Sequence, residues 1–245
     1  MSKIIVTEGL TKRYGKKTVL NDVSISLSEG EIYGIVGNNG AGKSTLLKII
    51  CGLVKQSSGS VTFSKKGIRI GSLIERPGLY GDMTAFQNIK AKALCMGVKY
   101  KRKQIEDLIS LVGLEDVQKK NVMAYSMGMR QRLGLALALV GEPDVLVLDE
   151  PINGLDPQGI AEIRQVIMEV HKERNIAILV SSHILDELVK IATSFCVIDR
   201  GRVIKQSTKE EFMSECGDRE IDEYYIDIIK QSRESSDNDS TEAKI

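Results

Sequence analysis

The order of apolar and polar positions divides the chain into strand-like and helix-like stretches. IIVTEGL (4–10) and TVLNDVSISL (18–27) are rich in β-branched residues, the second with polar alternation, and both predict strands. EIYGIV at 31–36 is a nearly continuous apolar run entering a glycine-rich loop, the pattern of a buried central strand. STLLKIICGL then takes up helical spacing and ends near Gly52. VTFS and IRIGSLIE predict further strands, with a turn at Pro77-Gly78.

From about 84 to 140 the period changes to that of helices. QIEDLISLVGL puts Ile105, Leu108, Ile109 and Val112 on one face, and RLGLALALVG predicts a more uniformly apolar helix. A helical block between two strand–loop–helix units predicts an inserted subdomain. DVLVLDEP follows, then a helix over 158–173 with Ile160, Ile163, Val166, Ile167 and Val170 in one stripe. IAILVSSH, a short helix and FCVIDRG complete an alternation of strand and helix, which implies an α/β fold with a largely parallel sheet. RVIKQ is expected to close the globular part. An amphipathic segment, EIDEYYIDIIK, then precedes a polar tail at 231–245 that lacks the apolar surface to fold alone.

Bulk properties narrow the function classes. Length suits one large domain, or a main domain with a small subdomain, and the composition is ordinary for a globular protein. The net charge of +1 gives no general attraction to nucleic acid or to an anionic membrane surface, so no nucleic-acid partner is expected. The longest apolar run, LGLALALVG at 133–141, is too short to span a bilayer and is expected to be a buried helix. The N-terminus lacks the layout of a secretory signal, and Cys51, Cys95, Cys196 and Cys216 lack metal-ligand spacing. Buried free thiols in a reducing cytosol are the expectation. A role at a membrane then requires a partner to hold the protein there.

The chemistry enters at 37–45, GNNGAGKST, where Gly37 to Ser44 fits G-x-x-x-x-G-K-[ST] in full. Glycines at Gly37, Gly40 and Gly42 let the backbone curl so that successive N–H groups, including those of Asn38, Asn39 and Ala41, face phosphate oxygens. The following helix N-terminus adds positive potential, to which Thr45 belongs. Lys43 is placed to bridge the β- and γ-phosphates and the Ser44 hydroxyl to ligate Mg²⁺. DVLVLDEP supplies the complement: Asp149 ends a buried strand, where ligands of open parallel sheets bind. Asp149 there holds the metal's water shell, and Glu150 beside it is placed to polarise an attacking water.

With those two motifs in place, the rest of the chain resembles the nucleotide-binding domain of ATP-binding cassette (ABC) transporters over about 1–206. The resemblance implies a P-loop NTPase core, an N-terminal antiparallel β-subdomain and a helical subdomain at about 76–140; beyond it, the residue pattern predicts a helical extension at 207–230. Tyr14, in LTKRYGKKTVL, matches the aromatic residue that stacks on adenine; on its own it reads as a surface tyrosine at a turn. YSMGMRQRLGLALAL corresponds to the family signature, keeping its Ser as Ser126 and its second Gly as Gly128, while Tyr125, Met127 and Met129 depart from it. Taken alone, Ser126 would be only a helix N-cap. NGLDP matches the loop after the catalytic glutamate, with Asp156 at its centre. His183 matches the switch histidine that touches the γ-phosphate, although a lone His at a strand end is more often structural.

A further departure is the informative one. IGSLIERP puts Glu75 where a glutamine usually contacts Mg²⁺ or the attacking water, which adds a negative charge near the γ-phosphate. The SLIE segment and SMGMRQRLG resemble the ATPases of lantibiotic- and bacitracin-type self-protection exporters. The resemblance implies ATP and Mg²⁺ as cofactors and a head-to-tail C2 homodimer that sandwiches two ATP molecules. Ser126 would then act on the partner's nucleotide, Asp156 would couple the sites, and Glu150 would serve as base. It also implies membrane permease partners docked near 76–100, with Arg76, Tyr80 and Met83 as contacts, and a peripheral location on the inner face of the membrane. Soluble relatives, a small-molecule kinase or an importer of the same architecture remain the alternatives; a GTPase would need an Asn-Lys-x-Asp motif, which is absent.

Overall fold

The computed structural model describes residues 2–242, with side chains as far as Glu234. Two sheets are built from the strand-forming stretches. The first is antiparallel: β1 (Lys3–Tyr14) pairs with β2 (Lys17–Val23), with β3 (Ser26–Ser28) and with β5 (Ser58–Phe63). Register shifts along β1 let one long strand serve three partners.

The second sheet has the order β10-β9-β4-β8-β7-β6. It comprises β4 (Ile32–Val36), β6 (Ile70–Leu73), β7 (Val145–Asp149), β8 (Ala177–Ser182), β9 (Ser194–Asp199) and β10 (Arg202–Thr208). All pairings are parallel except β9 with β10. Its central strands are continuous apolar runs because both faces are covered. Odd positions of β4, β7 and β8, such as Ile35, Val147 and Leu179, join a core with Leu10, Leu20, Leu46 and Leu47 beneath the antiparallel sheet. Even positions, Val36, Leu148 and Val180 among them, face the core on the opposite side.

That opposite core is roofed by helices. The exception is α1 (Lys43–Ile50), which the phosphate loop enters from β4 and which packs on the other side, in the core beneath the antiparallel sheet. The inserted block holds α2 (Ala85–Cys95), α3 (Arg102–Leu111) and α4 (Met127–Ala138), with short 3₁₀ turns at 115–117 and 122–124. α2 begins at a capping box between Thr84 and Gln87, which satisfies two orphan donors at the helix start. α5 (Pro157–Arg174) follows β7 with Asp156 as N-cap and Pro157 at its first turn. α6 (Leu185–Val189) lies between β8 and β9. Gly134 on α4 is a close-approach position: a Cβ there would lie 2.8 Å from Pro77 Cβ, so the helix packs directly on the segment leaving β6.

Three expectations are corrected. RVIKQ does not close the globular part: α7 (Lys209–Cys216) and α8 (Ile221–Glu242) follow and join the main core through Phe212, Tyr224, Tyr225, Ile228 and Ile229. Phe212 is fully buried between Phe195, 4.7 Å away between ring centroids, and Tyr224, 4.9 Å away. The polar stretch expected as a tail from 231 continues α8 to Glu242, since a docked first turn removes the nucleation cost and each added residue costs little; residues 243–245 lie outside the described residues. Cys95 is exposed and Cys51 half-buried, so only Cys196 and Cys216 are the buried thiols expected of all four. Among the described residues no helix is long and apolar enough to cross a membrane.

Candidate nucleotide site

The carboxyl ends of β4, β7 and β8 converge on one cluster of charge. Gly37 is packed so tightly that a Cβ would lie 2.3 Å from the Ile198 carbonyl oxygen, and Gly40 and Gly42 take φ of 81° and 112°. Gly42 is also the N-cap of α1 and offers no side chain, so the first N–H groups of that helix are left for an external acceptor. Asn38, Asn39 and Gly40 are exposed at the crest, while Ala41 is buried and Ser44 and Thr45 are half-buried. A bent backbone at a helix N-terminus fits a phosphate chain, although the Ala41 N–H expected to face phosphate donates instead to Asn38 O at 3.1 Å.

Lys43 is a buried cation, 5% exposed, folded over this loop. Its Nζ donates to Gly37 O at 2.6 Å and Asn38 O at 3.3 Å, and lies 3.0 Å from Glu150 Oε1. That carboxylate oxygen takes no directed hydrogen bond; charge alone holds it to Lys43. The other, Oε2, accepts from the His183 backbone N–H at 3.3 Å and lies 2.7 Å from His183 Nδ1. Glu150 itself has φ of 50°, a left-handed conformation that a residue with a Cβ adopts at a cost. Three residues far apart in sequence thus form one chain of contacts: Lys43, Glu150, His183.

Ser181 is a residue that the motifs did not identify. Its hydroxyl donates to Asp149 Oδ1 at 2.7 Å and accepts from the Glu150 N–H at 3.0 Å, so one buried side chain orients both acids. The available signal was a pair of polar residues, Ser181-Ser182, ending an otherwise apolar strand that is wholly buried. Among the described residues no group of three or more acidic, His or Cys side chains gathers to hold a metal. Buried Asp149 and the Ser44 hydroxyl are a donor set of the kind Mg²⁺ takes when phosphate oxygens and water complete its octahedron.

The remaining candidates lie elsewhere. Glu75, also left-handed at φ 62°, is 67% exposed and bonded to Lys48 of α1 at 2.5 Å. The hydrogen bond and charge of Lys48 lower the Glu75 carboxyl below its ordinary range, and Glu75 raises Lys48 in return. The added negative charge expected near the γ-phosphate is therefore neutralised by a counter-ion that the sequence did not reveal. Tyr14 ends β1, 49% exposed, with Lys12 Nζ 4.7 Å from its ring centroid.

Ser126 caps α4, its Oγ accepting from Met129 N–H at 3.2 Å, and Asp156 caps α5, accepting from Gly159 N–H at 2.9 Å. Ser126, Gly128 and Asp156 line one cavity of about 430 Å³ between these two helix starts, and no phosphate-loop residue borders it. A second cavity, about 600 Å³, is lined by Arg76, Pro77, Leu79, Met123, Met127 and Arg130. Tyr80 is exposed beside it and Met83 half-buried.

Comparison with known proteins identifies what this geometry belongs to. Residues 20–153 match the family model described as ABC transporter. The chain is 42% identical over 215 residues to the bacitracin transport ATP-binding protein BcrA of Bacillus licheniformis, covering 84% of this chain and 70% of that protein. It is 43% identical over 203 residues to the lantibiotic transport ATP-binding protein SrtF of Streptococcus pyogenes, covering 80% and 87%. Among solved structures, cbiO1 of Clostridium perfringens, part of the ABC transporter complex cbiONQ, superposes with a TM-score of 0.77 at 30% identity, covering 88% and 92%.

Proposed function

The chain belongs to the ABC transporter family as an ATP-binding, ATP-hydrolysing subunit, and from that premise we propose that it drives export of a peptide antibiotic as self-protection. The cargo reading rests on similarity to the bacitracin and lantibiotic transport proteins. The contact chain Lys43–Glu150–His183 carries the catalytic reading.

In this reading Lys43 moves its Nζ from the Gly37 and Asn38 carbonyls to the β- and γ-phosphates of ATP. That exchange frees Glu150 Oε1, which then accepts a proton from the attacking water as general base. His183 Nε2, on the ring side away from Glu150, is the natural contact for the γ-phosphate. Ser44 and Asp149 would hold Mg²⁺, which supplies neutralisation of the phosphate charge. Tyr14 stacks on adenine. Ser126, Gly128 and Asp156 serve the nucleotide of a second copy, because their cavity is bordered by no phosphate-loop residue of the same chain. A head-to-tail dimer follows as the active form. The cavity beside Arg76 receives the membrane permease, which holds the chain at the inner face of the membrane.

The test is co-expression with a candidate permease. The chain should fractionate with membranes only when the permease is present, and cells should gain tolerance to bacitracin or a lantibiotic that Glu150→Gln abolishes. An assembled complex that hydrolyses ATP normally and changes tolerance to neither peptide would sink the cargo assignment.

A further inference from the structure

The C-terminal helix reaches the phosphate loop through one ion pair and one turn. Arg233 of α8 donates from Nε to Asp199 Oδ2 and from Nη2 to Asp199 Oδ1, both at 2.9 Å, a bidentate fork. Asp199 is buried at the end of β9. The residue before it, Ile198, presents the carbonyl that excludes any Cβ at Gly37. Two residues after it, Gly201 N–H donates to Ala41 O at 2.9 Å, and Gly201 O accepts from Asn21 N–H at 2.8 Å.

The four residues 198–201 therefore grip the phosphate loop at two points, Gly37 and Ala41. The turn has little freedom of its own: Arg200 and Gly201 are both left-handed, and a Cβ on Gly201 would lie 2.3 Å from the Val19 carbonyl oxygen. Asp199 also places a negative charge at the sheet end proposed to bind phosphates, and the Arg233 guanidinium is its salt-bridge partner, with a smaller contribution from Arg200 beside it. Both effects act in one direction, toward a loop shaped and charged for an anion.

We propose that α8 is a clamp on the phosphate loop: Arg233, a positioning residue, fixes the β9–β10 turn through Asp199 and so sets the affinity for ATP. A partner that lifts or seats α8 would change nucleotide binding from outside the catalytic cluster. The inference rests on the phosphate-loop reading, and the experiment separates the two.

ATP affinity of the full chain is measured by calorimetry for the unsubstituted protein, Arg233→Ala, Arg233→Lys and Lys43→Ala, with amide hydrogen exchange followed alongside. Arg233→Ala is expected to raise the ATP Kd about five- to tenfold. It should also speed exchange at 37–45 while leaving the helices at 85–95 and 127–138 unchanged. Arg233→Lys keeps the charge and should recover part of the affinity. An unchanged ATP Kd in Arg233→Ala overturns the clamp even where the melting temperature falls, since the pair would then only hold the helix down. If Arg233→Ala does not fold, Arg233→Gln is judged by the same criterion. Retained binding in Lys43→Ala would instead overturn the phosphate-loop reading.

Discussion

Glu150 is held from three directions while its backbone sits in a left-handed conformation, so small changes among its neighbours should have large consequences. Lys43→Ala removes the cation facing Glu150 Oε1, the same ammonium that is proposed to bind the phosphates. We expect calorimetry to detect no ATP binding, with the fold intact by circular dichroism. Glu75 is the opposite case, exposed and tied to Lys48 at the surface. Glu75→Gln loses that ion pair, and exposed pairs contribute little to stability. Melting temperature and ATP affinity should therefore be unchanged, while turnover or export coupling shifts; constancy in all four measurements would make the substitution neutral. The phosphate loop was legible in the sequence because its chemistry depends on residue type at fixed local spacing. Lys48 as partner of Glu75, and Ser181 as the brace of Asp149 and Glu150, were not, because those contacts join α1 to the end of β6 and β8 to β7.

At the scale of elements, α7 and α8 are built into the main core rather than appended to it. Phe212→Ala removes a fully buried ring from its edge-on contact with Phe195 and its tilted contact with Tyr224 and should cost about 3–5 kcal/mol, read by denaturant unfolding. A loss below about 1 kcal/mol would mean the extension is only loosely docked. The ion pair of α8 adds a pH signature. Arg233 donates to Asp199 and holds its carboxyl below the ordinary range, with desolvation opposing. A lowered folded pKa means stability present above the unfolded value, about 3.9, and lost as pH falls through the folded one. The melting-temperature gap between the unsubstituted chain and Arg233→Ala should thus be full at pH 7 and close in acid below that value. The sequence carried the amphipathic pattern of EIDEYYIDIIK but not its docking site, because Asp199 precedes Arg233 by more than thirty residues in chain order.

For the whole molecule, the separation of the two clefts is what the proposed head-to-tail pairing of two chains rests on. The cluster around Lys43 and Glu150 and the cavity holding Ser126, Gly128 and Asp156 share no bordering residue. If Glu150 is the base as proposed, Glu150→Gln should keep nucleotide binding while turnover falls about 100-fold or more. In the presence of ATP that variant should run in light scattering as a dimer of the 27.0 kDa chain. A strictly monomeric, ATP-loaded variant would count against the head-to-tail assembly.

The sequence by itself determined the α/β class and the parallel core, and it singled out the candidate phosphate loop. Those follow from hydrophobic period and from motifs whose residues are neighbours in the chain. Only the tertiary structure decided which charges meet: Glu150 with Lys43 and His183, Glu75 with Lys48, Asp199 with Arg233. It also decided that the chain past 206 belongs to the core, since Phe212 is buried against Phe195 of β9 and Tyr224 packs on Phe212 in turn. The physical reason is range. Helix and strand periods are local properties of a few turns, whereas an ion pair or an aromatic stack exists only once the sheet order has brought distant residues within a few ångströms.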